Sequence, residues 1–268
     1  MVQADVHVLD RGRLECDLNY MVEGMSMGSH NEPNPETVYD EIPVWNLLID
    51  HPEGTILWDT GSHPDALDGH WPEPLYQAFY PYDAHERTLA VALDEVGYGI
   101  DDIEYVFQTH LHLDHAGELE HFAGTDVPVF VHAEELKFAY YSANSDEGSS
   151  AYILGDFDHD LNWHVVHRDR EQHFEDVEFI HLPGHTPGLM GTMIHLDDHG
   201  TLIFSGDELY QTENYEDEIP LGAGLLWSHR HWFDSLQLLK DLERRHDGQV
   251  IYGHDPEQFA AIETGWVS

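Results

Sequence analysis

Cysteine is almost absent from this 268-residue chain. Cys16 is the only one, which excludes an intrachain disulfide and a thiolate-rich zinc cage. Basic residues are nearly as scarce. Lys137 and Lys240 are the only lysines, and Lys plus Arg total 10 against 53 Asp plus Glu, a formal net charge of −43. Phosphate backbones repel such a chain, so nucleic acid is excluded as a partner. No apolar run approaches the ~18 residues that a membrane helix needs. The N-terminus, Met1-Val2-Gln3-Ala4-Asp5, has neither the basic start nor the apolar stretch of a signal peptide. These absences lead to the expectation of a soluble, cytoplasmic protein with no membrane partner.

What is present is enough for a folded core. The chain is 41% hydrophobic and 12% aromatic, and its acids are interleaved with regular apolar patterns rather than segregated as in a disordered tail. A folded surface this negative repels itself. Salt relieves the repulsion, because the Debye length falls from ~8 Å at physiological ionic strength to ~3 Å at 1 M. The composition therefore points to a halophilic protein working in molar salt. By the prior of ~100–200 residues per domain, the length suits one large domain or two small ones.

Short strand-like runs alternate with helical ones. Val44 to Ile49 and Thr55 to Trp58 read as a hairpin across Pro52-Glu53-Gly54, ending at the turn Asp59-Thr60-Gly61. Arg87 to Val96 has helical spacing, with Leu89, Leu93 and Val96 on one face. A strand, Glu104 to Gln108, comes next, and a short helix is expected before the strand Val127 to Val131. Glu134 to Tyr141 reads as a helix, and Val177 to His181, Gly191 to Ile194 and Thr201 to Ser205 as further strands. His231 to Arg245 is the clearest helix, with Trp232, Leu236, Leu239 and Leu242 forming an apolar stripe. Val250 to Tyr252 is a last strand. Ser142 to Ser150 is rich in Gly, Asp and Ser and is read as a surface loop. Met21, Met25 and Met27 lie in a stretch with little pattern, residues 20–40, and favour plain packing over a substrate surface.

The run Thr109-His110-Leu111-His112-Leu113-Asp114-His115 carries the strongest chemical signal. An arbitrary His-x-His pair means little in a chain with 23 histidines. Three imidazoles and a carboxylate between a strand and Ala116-Gly117 are far more specific, because these are first-choice ligands of zinc and similar ions. If the chain stays extended, His110, His112 and Asp114 project to one side. His115 then points elsewhere, so the run could serve two metals. Three further residues follow strands beside glycines: His185 in Pro183-Gly184-His185, Asp207 in Ser205-Gly206-Asp207, and His254 in Tyr252-Gly253-His254. Glycine there lets the backbone approach closely. A site drawn from strand ends so widely separated requires one fold spanning both halves, hence a single domain over residues 1–268.

The pattern His-x-His-x-Asp-His, then His, Asp and His, resembles the metallo-β-lactamase superfamily from about Val44 to His254. It looks most like the N-acyl homoserine lactone lactonases. Asp207-Glu208-Leu209-Tyr210, the later Glu213-Asn214-Tyr215 to Pro220 stretch, the Pro43-Val44-Trp45 start and the Gly253-His254-Asp255 ending add to that likeness. The resemblance implies an α/β fold, an αββα sandwich of two sheets flanked by helices. It also implies two divalent metal ions, one held by His110, His112 and His185, the other by Asp114, His115 and His254, with Asp207 bridging. A thiolate-free donor set suits Zn, Co, Mn or Fe without choosing among them, and zinc is the expected ion. Asp59 is either a turn residue or the support of a ligand histidine.

The implied activity is hydrolysis of a lactone ring, that of N-acyl homoserine lactones, by a hydroxide shared between the metals. Asp114 would pass a proton to the leaving alkoxide. Tyr210 falls three residues after Asp207, where the family places a tyrosine on the substrate carbonyl; the competing reading is a packed loop aromatic. Members of that family often carry an aromatic residue at the position of Leu113, so acyl recognition is expected to differ here. Two rival functions use the same scaffold. A glyoxalase-II-like thioester hydrolase would want basic residues to hold glutathione carboxylates, and a silent binding protein would not need the full ligand set. The partner is a small-molecule lactone or ester, and a homodimer is a permitted assembly.

Overall fold

Alternating side chains build the first sheet. In β2 (Tyr39–His51) and β3 (Gly54–Trp58), Leu47, Ile49, Ile56 and Trp58 face one way and Leu48 and Leu57 the other, the period of two that a strand imposes. The computed structural model describes residues 1–267 and pairs these strands antiparallel, Leu47 opposite Trp58 and His51 opposite Gly54. The expected hairpin is therefore present. A long strand, β1 (Asp5–Asp17), lies on its outer side, with a register shift between Asp10 and Arg13. The other strands of this sheet are β4 (Phe79–Tyr80), β5 (Tyr105–Phe107), β6 (Pro128–His132) and β7 (Asn162–Val166), in the order β4-β1-β2-β3-β5-β6-β7.

The second sheet takes β8 (Arg170–Phe174), β9 (Val177–His181), β10 (Met190–Leu196), β11 (Gly200–Phe204) and β12 (Gln249–Ile251), in the order β12-β11-β10-β9-β8. The helices are α1 (Glu73–Ala78), α2 (Leu89–Glu95), α3 (Ala133–Ala143), α4 (Leu154–Phe157), α5 (Thr212–Glu216), α6 (His229–His246) and α7 (Pro256–Ile262). The short helix expected after the histidine run is a 3-10 turn, Leu119–Phe122.

Three apolar clusters define the layers. Trp45, Ile49 and Trp58 of the first sheet meet Phe179, Ile194 and Phe204 of the second, so the two sheets pack face to face. The outer face of the first sheet, with Leu48, Leu57 and Val106, is covered by Leu89 and Leu93 of α2 and Ala139 of α3. The outer face of the second, with Ile180 and Ile203, is covered by α6 through Trp232, Leu236, Leu239 and Leu242, the stripe read from the sequence. The result is an αββα sandwich. Among the described residues no helix is long and apolar enough to cross a membrane.

Strand direction decides where the site can form. β3 and β5 run parallel. In the second sheet two antiparallel steps, β9 to β10 to β11, restore the direction of β9 in β11, and β12 is parallel to β11. The segments that follow β3, β5, β9, β11 and β12 hold Asp59, the histidine run, His185, Asp207 and His254 respectively.

Candidate metal centre

The histidine run does not stay extended. The N–H groups of His115 and Ala116 both bond the carbonyl of His112, each at 3.0 Å, so the chain turns inside the motif. The expected one-sided projection of His110, His112 and Asp114 is therefore wrong. His110 and His112 join His185 in one cluster, while Asp114 and His115 join His254 in another. Nε2 of His185 lies 3.2 Å from Nε2 of His110 and 2.8 Å from Nδ1 of His112.

Asp207 stands between the clusters. Its Oδ2 is 3.6 Å from His110 Nε2 and 3.5 Å from His185 Nε2, and its Oδ1 is 3.1 Å from His115 Nε2 and 3.2 Å from His254 Nε2. Asp114 Oδ2 faces the second cluster only, 3.7 Å from His115 Nε2 and 3.8 Å from His254 Nε2. Glycine allows this crowding as expected: a Cβ on Gly253 would stand 3.1 Å from Asp207 Oδ1.

The other nitrogen of every clustered imidazole faces an oxygen. His110 Nδ1 lies 3.0 Å from Thr109 Oγ1, His112 Nε2 3.4 Å from Ser149 Oγ, and His115 Nδ1 2.9 Å from Asp59 Oδ2. His185 Nδ1 and His254 Nδ1 donate to the carbonyls of Leu225 at 2.6 Å and Pro43 at 2.7 Å. A carbonyl only accepts, so in neutral rings the proton of His185 and of His254 sits on Nδ1 and Nε2 presents a lone pair. Those lone pairs point at other nitrogens and at Asp207. His115 Nε2 and Asp207 Oδ1, though close, make no aligned hydrogen bond. Acceptors converging on acceptors in a buried pocket need a cation between them. Metal-bound histidines usually have their second nitrogen oriented in this way, so the donor set fits a dinuclear site.

Electrostatics agree. Burial, reinforced by neighbouring imidazoles, holds His110 and His112 well below the usual histidine range, in the neutral form that ligates. At His115 burial works the same way, yet Asp207, Asp114 and Asp59 outweigh it and push the ring well above that range. This side of the site calls for positive charge. Cys16 is buried and its thiol is pushed up to about 12 by that burial and by Asp17, Asp114 and Asp40, which removes it as a nucleophile at neutral pH.

Of the two readings of Asp59, the structure favours the support of a ligand histidine over the plain turn residue, and several further supporting groups carry no motif. Asp59 is buried in the left-handed region (φ 59°) and accepts from the Thr109 backbone N–H and hydroxyl, both at 2.7 Å, as well as from His115. Beside it, the buried guanidinium of Arg11 donates to the Thr60 carbonyl and to Glu118, while the Thr60 N–H bonds the His115 carbonyl at 2.7 Å. Ser149, within the loop that the sequence marks only as polar surface, reaches His112. The carbonyls of Pro43 and Leu225 are invisible to any residue pattern.

Tyr210 is buried with its hydroxyl 3.2 Å from His185 Nδ1. It lines a cavity over His112, Asp114, Asp207 and His254 whose remaining wall is apolar, including Met21, Ile42, Phe79, Leu113 and Leu225. Met21 thus packs and also faces the cavity. Met25 is half-buried, and Met27 is exposed and takes no part in the wall.

Comparison with known proteins agrees with this geometry. The chain is 30% identical over 266 residues to the N-acyl homoserine lactonase AiiB of Agrobacterium fabrum (strain C58 / ATCC 33970), covering 95% of each chain. It is 30% identical over 250 residues to an N-acyl homoserine lactonase of Bacillus sp, covering 90% of this chain and 94% of the relative. A solved structure of a B. thuringiensis AiiA variant with N-decanoyl-L-homoserine at its active site superposes with a TM-score of 0.80 at 26% identity, over 97% of this chain and 96% of that one. The profile of the metallo-beta-lactamase superfamily matches residues 39–254, in keeping with the αββα sandwich and the paired His/Asp clusters, and this chain belongs to that superfamily.

Proposed function

We propose that the protein is a metal-dependent hydrolase that opens lactone rings, with N-acyl homoserine lactones as its substrates. The observation that carries this reading is the cavity over the His/Asp clusters. Its wall is apolar apart from the clustered residues and Tyr210, and neither lysine nor arginine stands among the described residues that line it. A neutral lactone with an acyl chain suits such a wall. A glutathione thioester, with carboxylates to be held, does not. The relationship to N-acyl homoserine lactonases over most of the chain supports the same choice.

In this reading His110, His112 and His185 would hold one divalent ion and Asp114, His115 and His254 the other, with Asp207, which faces both clusters, shared between them. Zinc is the first choice and Co, Mn or Fe fit the same donors. When bound, such a pair supplies Lewis acidity and a water acidified towards neutral pH. Tyr210 donates a hydrogen bond from its hydroxyl to the carbonyl oxygen as charge develops there. Burial, with Asp207 and Asp114 nearby, pushes its pKa well above the usual phenol range, so the proton stays in place at working pH. Asp114, the more exposed of the two carboxylates, takes up the proton released by the attacking water and passes it to the departing alkoxide. Residues 1–268 act as a single metallo-hydrolase domain, and the acidic surface suits a halophilic cytoplasm.

The test is a hydrolysis panel in molar salt: acyl homoserine lactones of several chain lengths, simple γ-lactones, a thioester and a β-lactam, with metal content measured on the same preparation. Ring opening of the acyl lactones with two metal equivalents per chain is expected. Hydrolysis of the thioester alone would overturn the reading. Near-zero metal and no turnover would indicate a silent binding scaffold.

A further inference from the structure

Helix α3 carries in its first turn a carboxylate that the proposed reaction does not use. Glu135 is fully buried. Its Oε1 accepts from the Leu111 backbone N–H at 2.9 Å and from the Tyr152 hydroxyl at 2.8 Å. Its Oε2 accepts from the Thr186 hydroxyl at 2.6 Å, and the Gly188 backbone N–H also donates to the carboxylate. A carboxylate offers about four lone-pair sites, and here four donors meet them.

Each donor belongs to a segment that bears on the first imidazole cluster. Leu111 lies between His110 and His112. Thr186 follows His185 directly, and Gly188 lies near the end of the same loop. The ring of Tyr152 lies against His112, with centroids 4.4 Å apart. The loop after β9 is also pressed onto the start of α3: a Cβ on Gly188 would stand 2.0 Å from the Glu135 backbone nitrogen. The loop after β5 belongs to one sheet and the loop after β9 to the other, so the Glu135 carboxylate joins them across the sandwich.

We propose that Glu135 is the positioning residue of the His110–His112–His185 cluster, its carboxylate tying the loop after β5 to the loop after β9 and so fixing the spacing of the three imidazole nitrogens. The proposal rests on reading the clusters as metal sites. A glutamine in its place offers one accepting oxygen and a donating amide. The Thr186 hydroxyl can turn to accept from that amide, but the backbone N–H groups of Leu111 and Gly188 cannot. Alanine removes the tie altogether.

The experiment titrates zinc, in competition with a chelator and in molar salt, into the folded full-length wild type and into Glu135→Gln, Glu135→Ala and Thr186→Val. A His185→Ala control identifies the binding step that belongs to the first cluster. Glu135→Gln should weaken that step by about 10–100-fold, the range seen when an orienting partner of a metal ligand is lost. Glu135→Ala should weaken it at least as much, Thr186→Val less, and the step of the second cluster should not move. If Glu135→Ala fails to fold by circular dichroism, Glu135→Gln and Thr186→Val decide the matter. Wild-type affinity at the first step in Glu135→Gln, or equal weakening of both steps, would overturn the inference. No metal uptake by the wild type would instead refute the metal reading beneath it.

Discussion

Oδ2 of Asp59 lies 2.9 Å from Nδ1 of His115, and this contact selects which nitrogen of the ring faces Asp207. A carboxylate accepts, so Nδ1 keeps its hydrogen and Nε2 presents a lone pair. Asparagine can put an amide donor at the same point. Nδ1 then becomes the acceptor and the hydrogen moves to Nε2, which can no longer ligate. Asparagine also tolerates the left-handed backbone that Asp59 adopts, so the change isolates hydrogen-bond polarity from strain. Asp59→Asn should lower metal content from two equivalents towards one, with the loss at the cluster of Asp114, His115 and His254. Elemental analysis after dialysis checks this, and two tightly held equivalents would remove Asp59 from the site's support.

Tyr210 offers a cleaner separation of chemistry from assembly. Its hydroxyl lies 3.2 Å from His185 Nδ1, but that nitrogen already donates to the Leu225 carbonyl at 2.6 Å. Removing the hydroxyl leaves His185 oriented, and a phenylalanine ring fills the same apolar surroundings. Tyr210→Phe should therefore keep its metal and lose at least several-fold in kcat, since a donor to the developing oxyanion is gone. Steady-state kinetics beside metal analysis make the comparison. Unchanged kcat would return Tyr210 to the role of a packed loop aromatic.

The parts of the site that could be read from sequence are those whose signal is local. His110, His112, Asp114 and His115 are contiguous, and His185, Asp207 and His254 each follow a strand beside a glycine, so residue type and context suffice to find them. Their grouping was not legible by period-two alternation, because two N–H groups fold onto the His112 carbonyl and turn the chain between His112 and Asp114. The orienting shell is further out of reach. Pro43 and Leu225 act through carbonyls that every residue possesses. Glu135 lies 24 residues from Leu111 and 51 from Thr186, separations that no short motif spans. In the fold, the β2–β3 hairpin and α6 show clean apolar periods. β1 hides its own, because the register shift between Asp10 and Arg13 breaks the alternation, β7 and β8 are largely exposed short strands, and β8 has a single apolar side chain, Phe174.

Salt tests the meaning of the charge. Most of the few cations are already engaged, among them Arg11 with Glu118, Arg13 with Asp10, Lys137 with Glu134, Arg170 with Glu178, Lys240 with Glu218, and both Arg244 and Arg245 with Asp241. With 53 acids against 10 basic residues, most carboxylates have no basic side chain to meet. Folding gathers them onto one surface, whereas unfolding lets them separate, so repulsion weighs more heavily on the native state. Shortening the Debye length from ~8 Å to ~3 Å screens neighbours on that surface. Exposed ion pairs weaken at the same time, but each contributes only about 0–1 kcal/mol, too little to reverse the trend. The melting temperature should rise steadily between dilute buffer and molar KCl, followed by circular dichroism on metal-loaded protein. A melting temperature that stays flat across that range would mean the carboxylates are spaced widely enough not to oppose folding, and the halophilic reading of the composition would fail.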